Sequence, residues 1–142
     1  MALVVDAGGL YAQADRDDPG HAAVREILVN EREELVTTEL AVAEADYLIL
    51  DRLGPDAEAA FLDDLAGGTF MVECLDRRGL GAARDLVARY RDLRIGLADA
   101  SLVIVAERYG TRRILSFDER AFRAVAPLQG GSFLLLPADA SR

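Results

Sequence analysis

The chain has no lysine, one cysteine and one histidine, and each scarcity excludes something. A single thiol, Cys74, cannot form an internal disulfide, and its place in the apolar run Phe70-Met71-Val72-Glu73-Cys74-Leu75 predicts a passive buried side chain. His21 follows Pro19-Gly20 with no evident serine or cysteine partner, and reads as a surface residue rather than a member of a hydrolytic triad. No apolar run approaches the length of a membrane span. The opening Met1-Ala2-Leu3-Val4-Val5-Asp6 lacks the basic start and long apolar stretch of a signal peptide. A cytoplasmic protein without membrane contact is expected. Repeats, linkers and low-complexity segments are missing too, so residues 1–142 read as one domain.

Other absences remove specific chemistries. A receiver-type phosphoacceptor domain has a similar size and an acid at its first strand end, but its mechanism needs a lysine. A dehalogenase-like phosphotransferase needs a second Asp two residues after the first, where this chain has Gly8. No glycine-rich fingerprint follows the first apolar run, which disfavours a dinucleotide-binding module.

What is present is acidic and unevenly spread. The net charge of −9 argues against a nucleic-acid partner at first sight. Yet residues 1–71 hold 16 acids against 4 arginines, whereas residues 72–142 hold 9 against 12. Every cation is a guanidinium, planar and suited to gripping phosphate or carboxylate. Arg77, Arg78, Arg84, Arg89, Arg91, Arg94, Arg112, Arg113, Arg120 and Arg123 are individually ordinary, and a few of them suffice for a phosphate-tracking rim.

Half the residues are hydrophobic, enough for a proper core in 142 residues. Short apolar runs alternate with longer amphipathic ones, the pattern of α/β architecture with a mostly parallel sheet. Strands are expected near 2–6, 34–37, 69–74, 113–117 and 132–136. Helices are expected near 8–15, 20–31, 38–53, 55–66, 78–91, 97–109 and 119–125. Gly54-Pro55 marks a helix start, Gly67-Gly68 a stop, and Gly110 another stop. Within 80–90, Leu80, Ala83, Val87 and Tyr90 recur at helical spacing, and Asp85 and Arg89 are placed to pair four apart.

Four acids stand out by position. Asp6 closes Ala2-Leu3-Val4-Val5, and Asp118 closes Arg113-Ile114-Leu115-Ser116-Phe117. Glu44 lies beside Leu40-Ala41-Val42-Ala43, and Asp99 between Gly96-Leu97-Ala98 and a run of apolar residues ending at Ala106. Carboxylates seldom sit among core residues without compensation. Ligands of a parallel sheet gather at the carboxyl ends of its strands. If both helices start at that edge, all four acids converge there. Without a cation, two carboxylates roughly 4 Å apart repel by about 4 kcal/mol at an effective dielectric near 20. A magnesium or manganese ion removes that penalty and can orient a phosphodiester and activate water. That combination is a metal-dependent nuclease. Asp92, Glu39, Asp46 and Glu119 also lie near these positions, with local capping or a solvated helix face as their plainer roles.

At this point the residues resemble a known family. Tyr90-Arg91-Asp92-Leu93-Arg94-Ile95-Gly96-Leu97-Ala98-Asp99-Ala100-Ser101, then Ala106-Glu107-Arg108-Tyr109-Gly110, then Ile114-Leu115-Ser116-Phe117-Asp118-Glu119-Arg120-Ala121-Phe122 resemble the PIN-domain family, above all its VapC-type toxins. Val4-Val5-Asp6-Ala7 and Ala43-Glu44-Ala45 are similar to the two earlier motifs. The resemblance implies a PIN-like three-layer α/β domain with a central, mostly parallel five-stranded sheet. It implies a magnesium- or manganese-dependent endoribonuclease, the toxin of a type II toxin–antitoxin pair, homodimeric and inhibited by a cognate antitoxin. Asp6, Glu44, Asp99 and Asp118 fall on the acidic positions, with Asp6 and Asp99 as principal metal ligands, and Ser116 as a small hydroxyl orienting Asp118 or a water. A PIN-like domain without catalysis, acting only as a binding partner, is the competing reading. One departure is plain: Ala7-Gly8-Gly9 follow Asp6 where the family usually has a hydroxyl residue. That loss bears on substrate alignment, and small residues there could let a phosphate approach backbone amides.

Overall fold

The computed structural model describes residues 1–140. Five strands, β1 (Leu3–Val5), β2 (Leu35–Thr38), β3 (Met71–Glu73), β4 (Arg113–Leu115) and β5 (Leu134–Leu136), form one sheet in the order β3-β2-β1-β4-β5. Every pairing is parallel, so the mostly parallel expectation is exceeded. The helices are α1 (Ala7–Ala14), α2 (His21–Asn30), α3 (Glu39–Leu53), α4 (Pro55–Ala66), α5 (Arg77–Arg89), α6 (Leu97–Arg108) and α7 (Glu119–Ala124). All twelve expected elements form, with ends shifted by a few residues. A 3₁₀ turn over Arg91–Leu93 is additional to them.

Burial follows strand position. Leu3, Val4 and Val5 of central β1 are fully buried, as a continuous apolar run in a covered parallel strand requires. β3 lies at an edge, and its Met71 and Val72 are exposed. Cys74 follows β3 directly and is exposed as well, so the expected buried thiol is corrected: the apolar run belongs to a sheet edge, not to the core. Helix α6 is the most buried helix, with Ala100 through Ala106 all inside, and it packs on α5, α3, β1 and β2. On α5, Ala83 and Leu86 face the core while Leu80 is exposed. The expected Asp85–Arg89 pair is replaced by a solvent-exposed contact between Arg84 and its neighbour Asp85, 3.2 Å.

Chain order and sheet order part company at β1. The chain runs outward from β1 through β2 to β3, then returns across to β4 and β5. The reversal falls between β1 and β4, where a doubly wound sheet opens a crevice at its carboxyl edge. Val4 pairs with Ile114 and Val5 with Leu115, and the Asp6 amide donates to the Leu115 carbonyl, 3.1 Å. Asp6 and Ser116 are therefore the first residues beyond the sheet on adjacent strands.

Candidate functional site

Both strand-end acids are also helix caps. Asp6 precedes α1, and its carboxylate accepts the Gly9 amide at 2.8 Å. Asp118 precedes α7 and accepts the Ala121 amide at 3.1 Å. A carboxylate at a helix N-terminus satisfies an orphan donor and meets the positive end of the dipole. Ala7-Gly8-Gly9 is thus the first turn of α1 rather than a bare loop. Of the backbone amides at this helix start that small residues were expected to open to a phosphate, that of Gly9 is taken by Asp6. Gly9 is also required sterically, because a Cβ there would lie 2.3 Å from Leu115 Cδ2 and 3.1 Å from Val5 Cγ1. Only glycine lets α1 start tight against β1 and β4.

The two helical acids arrive from a different direction. Asp99 stands in the first turn of α6 and accepts the amide of Gly96, the residue before the helix. Glu44 lies in the second turn of α3 and is exposed. A buried hydroxyl chain fixes these two helices to each other. The Thr38 side chain caps α3 through the Ala41 amide at 3.2 Å and lies 2.8 Å from the Ser101 hydroxyl. Ser101 in turn donates to the Ala98 carbonyl at 2.6 Å. Since Ser101 spends its proton on Ala98, Thr38 is the donor to Ser101, and every hydroxyl in the chain is satisfied.

Asp6, Glu44, Asp99 and Asp118 line one open cleft of about 450 Å³, together with Ala7, Gly8 and Phe117. The acids expected to converge do so, from four separate parts of the chain. They differ in depth. Asp6 is 6% exposed, while Glu44 and Asp118 are open to solvent. Burial pushes the Asp6 carboxyl up to about 6; hydrogen bonds from Ser116 and Gly9 pull against that, and Asp99 and Asp118 add repulsion. Asp99 is also raised to about 6, first by burial and then by the charges of Asp118 and Glu44. Among the described residues, no three His, Cys, Asp or Glu side chains form a ready-made metal cage. The acids surround the cleft without closing on a point.

Ser116 is more central than a helper of Asp118. It is fully buried, its hydroxyl hydrogen-bonds Asp6, and its oxygen accepts the Asp118 amide at 3.0 Å. One side chain thus joins the two strand-end acids. Asp92 is exposed in the 3₁₀ turn and Glu119 pairs with Arg123 at 3.1 Å, in keeping with their plainer roles. Asp46 departs from the solvated helix face expected of it: it is half-buried, with Oδ1 enclosed, and meets Glu58 of α4. Glu39 neighbours Cys74, whose thiol it raises. His21 is half-buried, with Nδ1 2.7 Å from the Ala12 carbonyl, so it braces α1 and α2 instead of standing free. Thr38, Ser101 and Phe117 escape a residue-level reading. A signal existed for Thr38, which stands where an N-cap is wanted before α3.

Several arginines of the expected rim are structural. Arg113 forms a forked pair with Glu31, Arg123 grips Asp139, and Arg112 holds the Gln129 and Gly130 carbonyls. Among the described residues, Arg77, Arg78, Arg89, Arg91 and Arg94 are in no ion pair.

Comparison with known proteins agrees with this architecture. Residues 3–128 match the PIN domain. Ribonuclease VapC26 of Mycobacterium tuberculosis is 42% identical over 135 residues, spanning 95% of this chain and all of that protein. Among solved structures, Mycobacterium tuberculosis VapC20, a Sarcin-Ricin loop cleaving toxin, superposes with a TM-score of 0.77 at 18% identity, over 82% of this chain and 90% of that one. VapBC2 from Rickettsia felis, solved with a DNA fragment from their promoter, gives 0.64 at 10% identity, over 95% and 97%. At those identities the two structures establish the fold, and the first relative carries the finer kinship. The chain belongs to the PIN-domain family, and within it to the VapC type.

Proposed function

We propose that this protein is the toxin of a toxin–antitoxin pair and an endoribonuclease, with the acid cleft as its catalytic centre and magnesium or manganese as its cofactor. The observation that carries the reading is the gathering of Asp6, Glu44, Asp99 and Asp118 around one cleft at the sheet's switch point. The 42% identity to a VapC ribonuclease over 95% of the chain supports the activity and the RNA substrate class.

The donor set fits a hard divalent cation. All four groups are carboxylates, and burial and mutual repulsion hold two of them near pH 6, a penalty that a bound cation relieves. Magnesium keeps several of its waters, so acids spread around an open cleft suit it. Asp6 and Asp99 would be its principal ligands, and Glu44 and Asp118 would complete the acidic set around it. When bound, such an ion neutralises phosphodiester charge and lowers the pKa of water.

The chain's own residues divide the remaining work. Gly9 and Ser116 hold the Asp6 carboxylate in place, so it need not reorganise during the reaction. Thr38 and Ser101 fix the spacing of Glu44 and Asp99 by locking α3 to α6. Glu44 and Asp118, both exposed at the mouth, accept protons from an incoming water and pass them to solvent. Cleavage by water leaves a 5′-phosphate and a 3′-hydroxyl. The deciding experiment is RNA cleavage with and without magnesium, before and after Asp6→Asn or Asp99→Asn. Loss of cleavage in both variants, with toxicity on expression lost in parallel, supports the reading. Undiminished cleavage or toxicity refutes it.

An antitoxin partner and a homodimer belong to the same proposal. An antitoxin segment bringing a basic residue to the acid cleft would neutralise it as a cation does. Co-purification with the partner and light scattering of the isolated chain test these two points.

A further inference from the structure

We infer that Phe117 is the floor of a nucleobase subsite beside the acid cleft. The inference rests on the catalytic reading of the cleft and adds where a base of the substrate sits.

Phe117 is an unusual place for a large apolar ring. It directly precedes Asp118, is 46% exposed, and borders the acid cleft. It also borders a second open cleft of about 500 Å³, which shares Gly8 with the first. The two form one continuous trough with Phe117 on the divide. The second cleft is mostly apolar, walled by Tyr11, Pro19 and Leu48, and Arg52 stands at its side.

The tip of the ring lies against Gly20, where a Cβ would stand 2.4 Å from Cζ and 3.0 Å from both Cε atoms. Gly20 has an ordinary φ of −88°, so what a side chain there would meet is the ring and not backbone strain. Phe117 lines both clefts, so part of its exposed area faces the trough. An aromatic face offered next to phosphate chemistry is a stacking platform, worth about 1–3 kcal/mol per base and tolerant of sequence. Arg52 supplies the matching cation. Its guanidinium lies 5.3 Å from the centre of the Tyr11 ring and hydrogen-bonds the Tyr11 side chain, which keeps a cation at that end of the cleft. The acid cleft, Phe117 and Arg52 lie in sequence across the two clefts, as a phosphate, a base and the next phosphate do along a single strand.

The test uses the full-length protein and two readouts. The first is cleavage kinetics on a pool of short single-stranded RNAs with magnesium. The second is quenching of 2-aminopurine fluorescence in such RNAs in EDTA, where cleavage is off. Phe117→Leu is expected to raise KM roughly 5- to 100-fold with kcat little changed, and to abolish the quench. Phe117→Trp is expected to restore both, and Gly20→Ala, whose methyl would push against the ring tip, to weaken both in the same direction as leucine. Wild-type quench and KM in Phe117→Leu would overturn the subsite. So would a loss confined to binding of a protein partner, which would make the trough a protein-docking groove. If wild-type protein cleaves nothing but shows a quench that Phe117→Leu removes, the subsite stands and the catalytic reading falls.

Discussion

Asp6 and Asp118 are built alike and placed differently. Each follows a sheet strand, each caps the next helix, and Ser116 touches both. Asp6 comes one residue after β1, the central strand, with β2 and β4 on either side. It is buried, and its carboxyl is lifted to about 6. Asp118 comes three residues after β4, far enough for the chain to lift it to the surface. A two-residue difference in offset from the sheet turns one motif into a deep acid and a shallow one. The deep acid has the most to gain from a cation, and the shallow one has access to solvent protons.

If depth sets the roles of these two acids, their variants must behave unequally, and most of all in catalysis. Asp6→Asn should lower magnesium-dependent cleavage by well over 100-fold, whereas Asp118→Asn should lose roughly 10- to 100-fold, a ligand acting in part through water. Equal losses from the two would mean that depth does not distinguish them. Ser116→Ala, which removes the shared hydrogen bond, should cost about 10-fold or more in activity with magnesium affinity falling in step, read by titration calorimetry.

The next effect is on stability and carries a sign. Asp6 has a folded value near 6, above the roughly 3.9 of an unfolded aspartate, so between those pH values the unfolded chain gives up its proton first. Ionising Asp6 in the folded state is therefore a cost that is absent below about pH 4 and complete above about pH 6. In EDTA at pH 7.5, Asp6→Asn should be more stable than wild type by on the order of 2 kcal/mol, a gain fading as pH falls to 4. Magnesium should erase the difference by stabilising only the wild type. Urea denaturation at the two pH values, with and without magnesium, checks both statements.

The smallest effect concerns the helices. Thr38→Val removes the α3 cap and the donor to Ser101 and should cost about 1–2 kcal/mol in urea denaturation. Because it loosens the spacing between Glu44 and Asp99, it should also lower kcat modestly while leaving the Asp6–Ser116 pairing intact.

Much of this is legible in residue order. The alternation of apolar runs and amphipathic stretches locates every strand and α-helix, since period and length distinguish the two. The four acids are visible as carboxylates misplaced among core residues, and their convergence follows from where ligands gather in a parallel sheet. Cys74 and Leu80 mislead for one reason. An apolar neighbourhood reports a strand or helix face, and only sheet order says which strand is an edge and which face meets the core. The arginines mislead in part for a related reason: Arg113 and Arg123 find Glu31 and Asp139, partners distant in sequence. Phe117 escapes notice because a strand-terminal aromatic usually points inward.

Element types, the parallel class of the sheet and the identity of the four acids were all set by residue order, because periodicity, caps and misplaced charge are local properties. How deep each acid lies, which arginines are already engaged, and that Thr38 and Ser101 lock α3 to α6 were settled in three dimensions. Those depend on desolvation and on contacts between residues far apart in the chain, and neither is written in any single stretch of it.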